Sequence, residues 1–588
     1  MKATLTERFR SLRSNLGAFA RENRALTTIL LAGVLIHCVG ITWGMPRSDG
    51  WDNDGVAPRD FLPGLAATFT PGHYYTYPPL HLAILGVLTL PFTLVALLGA
   101  PAFDQASLVA TFIRVPTMTA FAVTARIVAI AMSVGIVFSI SRIARRIVTP
   151  EKREATGILA ALVATMHVPF TYYSYTSNLD VPYLFWGLLS LDRFIEAFDA
   201  PAGKKLGLAF IFAIFAVATK DQAYALFLYS YPIALAVKVW LTPKESRLRE
   251  IWTIAKWGAL AVAILLLVDG ALTNPTGFRA RLAFLSGPAS QDFATYPKTA
   301  AGIAQLLKDL FLDFAPRALP RIAIIPFLLG LGVAGAAVAR RRFVAILPLL
   351  VIVSFTLAFN CVARRVEDRF IMPQTLLASV YIAVGFDAFN RALFSKTRAL
   401  GAVSLAATLA FFVFAIYPVL NIVVLTLRDP RYRAEAFLEE NVKPNETIEV
   451  HGLSVYLPRF PKQAHVVRVG PASRRNPLPD VEEKVDALLN IDRRHPEWIV
   501  VVECYAWRFL RHDVEAILSV STRQLPSAQA REFSADDQRL FFQRLYAGEL
   551  DYSPAFAAVW PEGGFWKRID THSALGCPTR VFRRHPSE

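Results

Sequence analysis

Residues 400–426 read LGAVSLAATLAFFVFAIYPVLNIVVLT, a run of 27 residues without a charged side chain. About 20 consecutive apolar residues are enough for an α-helix to cross the hydrocarbon core of a bilayer. The run therefore predicts a transmembrane helix. The sequence changes character directly after it, at the charged stretch RDPRYRAEAFLEENV. We accordingly divide the chain into a membrane part, 1–427, and a soluble tail, 428–588.

Ten further apolar runs lie upstream of this one. Hydrophobic residues make up 54% of the 588 residues and charged residues only 18%, whereas a soluble protein has about a quarter charged. The sequence therefore predicts an α-helical polytopic membrane protein with about 11 transmembrane helices. The upstream runs are roughly 26–44, 122–141, 156–173, 181–198, 206–220, 223–240, 251–272, 321–339, 343–361 and 370–388.

The distribution of charge predicts the orientation. The formal net charge is +16, but the tail carries 23 basic and 23 acidic side chains, so the whole surplus lies in the membrane part. Cytoplasmic loops collect Lys and Arg, whereas nucleic-acid binding would call for a basic soluble module. We predict a multi-pass protein of the inner membrane with a cytoplasmic N-terminus, an extracytoplasmic tail and no nucleic-acid partner. The basic clusters lie at 142–153, 204–205, 244–249, 340–342 and 391–398.

The apolar run 80–98 conflicts with this orientation. If it crossed the membrane, every later loop would change sides and the basic clusters would face outward. We therefore predict that 80–98 dips into the membrane or lies along its outer interface. The alternative is an additional span near 104–121.

The tail alternates turn signals with short β-rich runs, such as TIEVHG (447–452) and WIVVVECYAW (498–507). Helical periodicity occurs in VEEKVDALLNI (481–491) and DDQRLFFQRLYAGEL (536–550). This alternation predicts a small extracytoplasmic α/β domain. Cys504 and Cys577 could pair there, but their spacing does not decide it.

The first outer loop, 45–80, contains three acids within a few residues. Asp49, Asp52 and Asp54 flank Trp51 in the stretch SDGWDNDG. A carboxylate placed just outside the first span is suited to act as a general base. The alternative is a hydrated turn, which Asp and Asn form equally well.

Two further candidates lie at predicted helix ends. Asp180 precedes a span in TSNLDVPYLFW, and acids at membrane depth are usually functional; the alternative is a helix cap formed by Asn178 or Asp180. Lys220 closes the span LGLAFIFAIFAVATK and is followed by Asp221. It could bind a phosphate or simply extend to the membrane surface.

Arginines supply the third set of candidates. Arg126 lies just inside a span, and Arg364, Arg365 and Arg369 crowd a predicted outer loop, against the charge trend. Arginine suits bidentate contact with phosphate; the alternative is pairing with the neighbouring acids 367–368. The sequence has no P-loop and no zinc-ligand spacing, so neither an ATP-driven pump nor a metal centre is indicated.

The order of these motifs resembles a known group of enzymes. WDNDGVAP is followed by YTYPPLHLAIL, by an arginine opening the next span, and by NLDVPYLFW, ATKDQAYAL and EDRFIMPQTL. The order resembles the membrane glycosyltransferases of the C superfold. The similar members are the protein O-mannosyltransferase and lipid A aminoarabinose transferase group and the lipopolysaccharide core transferases that share their domain.

This resemblance implies a polyprenyl-phosphate sugar as donor and a catalytic acid in the first outer loop. Asp54 matches that acid, and Asp180 matches a second acid near the site. Two departures occur: the usual Asp-Glu pair reads Asp54-Gly55, which makes Asp52 the candidate second carboxylate, and Tyr77 replaces a basic residue before the proline pair. Trp51 and Tyr77 are the candidate substrate-binding residues. The groups that match the donor-phosphate contacts are Lys220, Arg126, Arg365 and Arg369.

The sequence thus predicts an inverting glycosyltransferase that moves a sugar from a polyprenyl-phosphate carrier to an extracytoplasmic glycolipid, polysaccharide or protein. No cofactor or divalent metal is indicated. The alternative is a non-catalytic, flippase-like protein that binds or transports such lipids. Symmetry between the two halves of the chain would favour a transporter, and the sequence has no internal repeat.

The orientation can be tested directly. A cysteine introduced near residue 480 should react with a membrane-impermeant thiol reagent in intact cells, because the tail is predicted to be outside. Labelling that required lysis of the cells would contradict the predicted orientation.

Overall fold

The computed structural model describes residues 18–47, 50–52, 55–287, 294–470, 478–510, 535–560, 564–566 and 575–585. The first half of the membrane part contains α1 Arg24–Cys38, α2 Phe61–Phe69, α3 Pro79–Leu88, α4 Leu90–Leu98, α5 Gln105–Phe112, α6 Val115–Ile147, α7 Arg153–Thr165, α8 Val168–Tyr173, α9 Asp180–Phe198 and α10 Lys204–Val217. The second half contains α11 Tyr224–Phe227, α12 Ser230–Leu241, α13 Arg247–Val268, α14 Pro275–Ser286, α15 Ala300–Asp309, α16 Ala315–Ala318, α17 Ile324–Ala339, α18 Leu347–Phe355, α19 Cys361–Ala363, α20 Asp368–Phe394 and α21 Arg398–Leu427.

Helices lie at all eleven predicted spans, which confirms a helical polytopic membrane part. Within the described ranges, seven helices are long and apolar enough to cross a bilayer, or eight if one bent pair is a single span. The remaining predicted spans coincide with shorter or less apolar helices, such as α1 and α10.

The bent pair is α3 and α4, which cover the run 80–98. The two helices meet at Thr89 with a bend of 60°, the geometry of a broken span or a re-entrant segment. A straight crossing by this run is therefore ruled out, and the predicted dip into the membrane or position along its outer interface stays a prediction. The alternative span near 104–121 is divided between α5, which ends at Phe112, and the start of α6.

Helices α17 and α20 form a very close contact through two glycines. A Cβ atom on Gly330 would lie 1.9 Å from the carbonyl oxygen of Tyr381, and one on Gly385 would lie 1.8 Å from that of Pro326. Small residues allow membrane helices to approach in this way, since lipid supplies no hydrophobic force to press them together. The contact fixes α20, whose first turn carries Arg369.

The tail contains the predicted α/β unit. Its strands are β1 Thr447–His451, β2 His465–Gly470, β3 Glu482–Val485, β4 Trp498–Val502, β5 Tyr552–Ala558 and β6 Thr579–Arg584, in the order β3-β2-β1-β4-β6-β5. The first four strands are parallel, and β6 pairs antiparallel with β4 and β5. Its helices are α22 Pro430–Asn441, α23 Ile491–Arg494, α24 Glu503–Leu510 and α25 Ala535–Ala547.

The structure corrects one prediction for the tail, confirms a second and decides a question that the sequence left open. The helix predicted at 481–491 is wrong, because residues 482–485 form β3 at the edge of the sheet and only a short helix follows. The helix predicted at 536–550 is confirmed by α25. Cys504 and Cys577 form a disulfide with their Cα atoms 5.5 Å apart.

The tail holds the first outer loop through a buried contact. Arg431 is fully buried, pairs with Asp429 at 2.7 Å and lies 3.9 Å over the ring of Trp51. The Trp51 indole N–H donates to the carbonyl of Leu457 at 2.9 Å. Arg47 donates to the carbonyl groups of Leu457 and Ser454. The segment 453–457 of the tail therefore supports one side of the loop.

Removal of Arg431 tests this support. Arg431→Met leaves Asp429 buried without its cation, which typically costs 3–5 kcal/mol. We expect a lower unfolding temperature and faster hydrogen exchange around Trp51. The control is Arg433→Met, an exposed neighbour on the same helix, for which a change within about 0.5 kcal/mol is expected. Equal exchange in both variants would contradict the supporting role.

Candidate functional site

Asp52 lies at the junction of the first loop with the segment before α9. Its side chain is 6% exposed, and Tyr172 donates to its Oδ1 at 3.3 Å. Val56 and Ser177 exchange two hydrogen bonds, Val56 N–H to the Ser177 carbonyl at 3.2 Å and Ser177 Oγ to the Val56 carbonyl at 3.0 Å. The loop is therefore attached only three residues ahead of Asp180.

Packing explains why position 55 is a glycine. A Cβ atom on Gly55 would lie 2.5 Å from Ser177 Oγ and 2.8 Å from Asp52 Oδ2. Real Cβ atoms essentially never come within 3.0 Å of such atoms, so a glutamate at this position would require the side chains of Ser177 and Asp52 to move. The departure from an Asp-Glu pair thus accompanies the approach of the loop to Ser177. Asp54 and Asp49, the other candidate acids, lie outside the described residues.

Asp180 and Lys220 are brought together, as the two predictions require. Asp180 is fully buried at the start of α9, and its Oδ1 accepts from Lys220 Nζ at 2.6 Å and from Gln222 Nε2 at 3.0 Å. The Asn178 side chain accepts from the backbone N–H of Asp180 at 2.8 Å. Asn178 therefore satisfies the first backbone N–H of α9, as the capping alternative predicts, and the functional role of Asp180 stays a prediction. Within the described part of the chain, Asp180 Oδ2 has no hydrogen-bond partner.

The arginine pair lies at the start of α20. Arg365 Nε and Arg369 Nε donate to the two carboxylate oxygens of Glu367 at 2.7 and 2.9 Å. Both guanidinium groups also lie over the ring of Phe370, at 5.1 and 4.8 Å. The pairing with Glu367 that the sequence left open as an alternative is present. Lys220 Nζ lies 5.8 Å from the centre of the Tyr183 ring.

Arg126 occupies a different position from the other candidate cations. Its Nη1 donates to the carbonyl groups of Ile41 and Trp43 at 2.8 and 2.9 Å, and the residue is 2% exposed. A Cβ atom on Gly50 would lie 2.6 Å from its Nη2. Arg126 thus binds the carbonyl end of the chain segment after α1 and packs against the first loop. Its proposed contact with the donor phosphate stays a prediction.

The two candidate substrate-binding residues are also placed by packing. Trp51 is fully buried between the loop and the tail, with its ring 5.0 Å from that of Tyr432. Tyr77 is half-buried against an apolar cluster that includes Phe61 and Leu82. The next residues connect this segment to Lys220, because Leu80 N–H donates to the carbonyl of Ala218 at 3.0 Å.

Several residues of the site could not be identified from the sequence. Asp221, the residue after Lys220, pairs with Arg281 of α14, and the Arg281 guanidinium also lies 4.9 Å over the ring of Tyr75. Burial raises the pKa of Tyr75, so its hydroxyl stays protonated and donates to the carbonyl of Asp269. Neither Arg281 nor Tyr75 stands in a motif. Only the folded chain brings them beside Lys220.

A predominantly apolar cavity of about 740 Å³ begins within one turn of Arg369. It lies between α16, α17, α18 and α20, and its lining includes Pro316, Phe327, Ile352, Ile371 and Ile382. Its few polar groups include Gln374 and Thr375 of α20. A cavity with this lining suits a hydrocarbon chain.

The described residues contain no group of three or more His, Cys, Asp or Glu side chains that could hold a metal ion. Asp49 and Asp54 lie outside those residues. The expectation that no divalent metal takes part therefore stays a prediction.

The fold and the site define a polytopic helical membrane protein with buried charged groups at one end of its bundle and an attached α/β unit. The structure is similar to ArnT from Cupriavidus metallidurans bound to undecaprenyl phosphate, with a TM-score of 0.46 and 12% identity, covering 85% of this chain and 95% of that chain. ArnT is a lipid A aminoarabinose transferase, one of the group that the motif order resembles. The structure is also similar to the oligosaccharyltransferase of Archaeoglobus fulgidus in complex with zinc and sulfate, with a TM-score of 0.40 and 13% identity, covering 84% and 69% of the two chains. No family model and no curated protein matches the sequence.

The coupling of Asp180 to Lys220 can be measured with a double-mutant cycle. Asp180→Asn and Lys220→Met should each destabilise the protein, and the double variant should lose less than the sum. Charged partners in contact typically show a coupling of about 1–3 kcal/mol, measured from reversible unfolding in detergent. The exposed pair Arg544–Glu549 is the control and should show no more than about 1 kcal/mol. If the losses in unfolding free energy for Asp180→Asn and Lys220→Met are additive, the contact between the two side chains does not contribute to stability.

Proposed function

We propose that the protein is an inverting glycosyltransferase that takes its sugar from a polyprenyl-phosphate carrier. One observation carries the proposal. Asp52 lies in a loop that is hydrogen-bonded to Ser177, three residues before Asp180; Asp180 is buried and paired with Lys220; and Arg365 and Arg369 lie at the end of α20 that borders an apolar cavity. Such a site can hold an anionic headgroup and a hydrocarbon chain together.

The reaction assigns a role to each charged group. A carboxylate of the first loop takes the proton from the acceptor nucleophile as that nucleophile attacks the anomeric carbon from the face opposite the phosphate. The carbon–oxygen bond to the phosphate breaks, and the lipid phosphate leaves with the electron pair. Lys220, Arg365 and Arg369 stabilise the charge that grows on this leaving group. Attack from the opposite face inverts the anomeric configuration.

The disulfide of the tail supports an extracytoplasmic acceptor. Disulfides persist in oxidising compartments and are rare in the cytosol, and the tail contains the Cys504–Cys577 disulfide. This agrees with the charge pattern of the membrane part. We therefore propose that the site faces the outer side of the inner membrane, where the acceptor is a glycolipid, a polysaccharide or a protein.

Turnover of a polyprenyl-phosphate sugar by the purified protein tests the proposal, and the first-loop acids refine it. Asp54→Asn keeps the shape of the side chain but cannot accept the proton, so we expect turnover to fall about 10²–10⁴-fold with donor binding retained. Asp52→Asn should cost less if Asp52 only supports the base.

The matched control is Asp104→Asn. Asp104 is an exposed acid whose side chain caps α5 through Ser107, and Asn caps a helix equally well. If Asp54→Asn and Asp52→Asn both retain full turnover, the first loop is not catalytic. Exchange of lipid between leaflets without any sugar transfer would favour the transport alternative.

The phosphate contact predicts opposite effects for two neighbouring residues. Arg369→Ala removes a charge-assisted hydrogen bond and should weaken donor binding about ten-fold. Glu367→Gln removes the carboxylate that competes for both arginines, so donor binding should be unchanged or tighter. Binding is measured by titration of polyprenyl phosphate onto the purified protein. A weaker affinity in Glu367→Gln than in the unsubstituted protein, or an unchanged affinity in a folded Arg369→Ala, would contradict the assignment.

A further inference from the structure

A second cavity, which is lined mainly by charged side chains, lies at the other end of the bundle. It has a volume of about 410 Å³ and is lined by Arg142, Arg145, Arg146, Arg153, Ile195, Glu196, Asp199 and Val344. Arg126 lies beside the first loop, and Arg145 follows it on the same helix, about 28 Å further along at about 1.5 Å per residue. That separation is close to the thickness of the hydrocarbon core, about 30 Å. The cavity therefore lies at the opposite membrane interface from the candidate active site.

Two of the four arginines form ion pairs with carboxylates of α9. Arg142 and Arg146 pair with Asp192 at 3.0 and 2.9 Å, and Arg146 also pairs with Glu196 at 3.0 Å. Glu196 is shared further, because it accepts Arg193 at 2.8 Å and Lys205 at 2.6 Å. The carboxylates of α9 thus have no surplus negative charge for the remaining arginines.

The other two arginines have no carboxylate partner among the described residues. Arg145 donates through Nη1 to the neutral amide oxygen of Asn23 at 3.3 Å, and its Nε is buried without a hydrogen-bond partner in the described structure. Its side chain lies against Gly157, where a Cβ atom would come within 2.4 Å of Nε. Arg153 is exposed at the rim of the cavity. Burying part of an uncompensated guanidinium is costly unless an anion completes its environment.

We propose that this cavity binds the phosphate of an anionic phospholipid headgroup. Basic pockets between membrane helices are suited to such headgroups, and arginine forks match phosphate oxygens bidentately. The position at the membrane interface brings the headgroup to the cavity while its acyl chains stay in the bilayer. The site is separate from the proposed sugar transfer and does not depend on it.

Native mass spectrometry of the full-length protein in detergent tests the site. Phosphatidylglycerol should bind about ten-fold or more tightly than phosphatidylcholine with the same acyl chains. Arg145→Gln/Arg153→Gln should remove most of this preference, because each charge-assisted contact is worth roughly ten-fold in affinity. Arg153→Gln alone, at an exposed position that does not endanger folding, should reduce the preference in part.

The control Arg340→Gln/Arg398→Gln removes the same charge from exposed residues at predicted cytoplasmic loops outside the cavity, and should leave the preference intact. Equal losses in the two double variants would overturn the site in favour of general charge attraction. Competition by free inorganic phosphate as effective as that by phosphatidylglycerol would overturn the lipid assignment. An unchanged lipid preference in Arg145→Gln/Arg153→Gln would overturn the site itself.

Discussion

The buried Arg431 guanidinium is the contact on which the arrangement of the candidate site depends. Removing a guanidinium from water costs several kcal/mol unless its partners are well placed, and here Asp429 binds it through two nitrogens while Trp51 lies beneath it. The same carboxylate accepts the indole N–H of Trp43 at 3.1 Å and the backbone N–H of Gly576 at 3.4 Å. One acid therefore joins the end of the first helix, the start of the tail and the segment beside the disulfide.

The first loop consequently has fixed attachments on both flanks. On one side, Trp51 is held by the tail, and on the other, Val56 is hydrogen-bonded to Ser177. Arg126 adds a third restraint from α6, since it binds the carbonyl groups that follow α1 and packs against Gly50. A general base must be held within hydrogen-bond reach of the proton that it takes. The tail is thus part of the support of the loop as well as a possible surface for the acceptor, and its removal would release the flank that carries Trp51.

Features that follow from a local sequence pattern, such as the helices, could be predicted from the sequence. Features that depend on residues distant in the sequence could not. Apolar runs identified the helices at all the predicted spans, and motifs at helix ends singled out Asp180 and Lys220 separately, but their pairing with each other was not predicted. The contact of Arg431 with the first loop could not be predicted either, because Trp51 precedes it by 380 positions in the sequence. The error at 481–491 has a similar origin: apolar residues three and four apart fit a helix, but pairing with β2 decides that segment, and short apolar patterns do not separate the two cases.

The hydrogen bonds of Asp180 bear on how a charged donor could enter such a site. Lys220 cannot neutralise Asp180 and a lipid phosphate equally well, because its ammonium group is one compact charge. Gln222 donates to the same carboxylate oxygen at 3.0 Å, so Asp180 keeps a hydrogen bond when the ammonium turns towards an anion. Glu367 plays a related part for Arg365 and Arg369, since its carboxylate accepts hydrogen bonds from both until a phosphate competes for them. In the proposed reaction, the donor phosphate is therefore bound by exchange of partners, because it takes over hydrogen bonds that Asp180 and Glu367 otherwise accept.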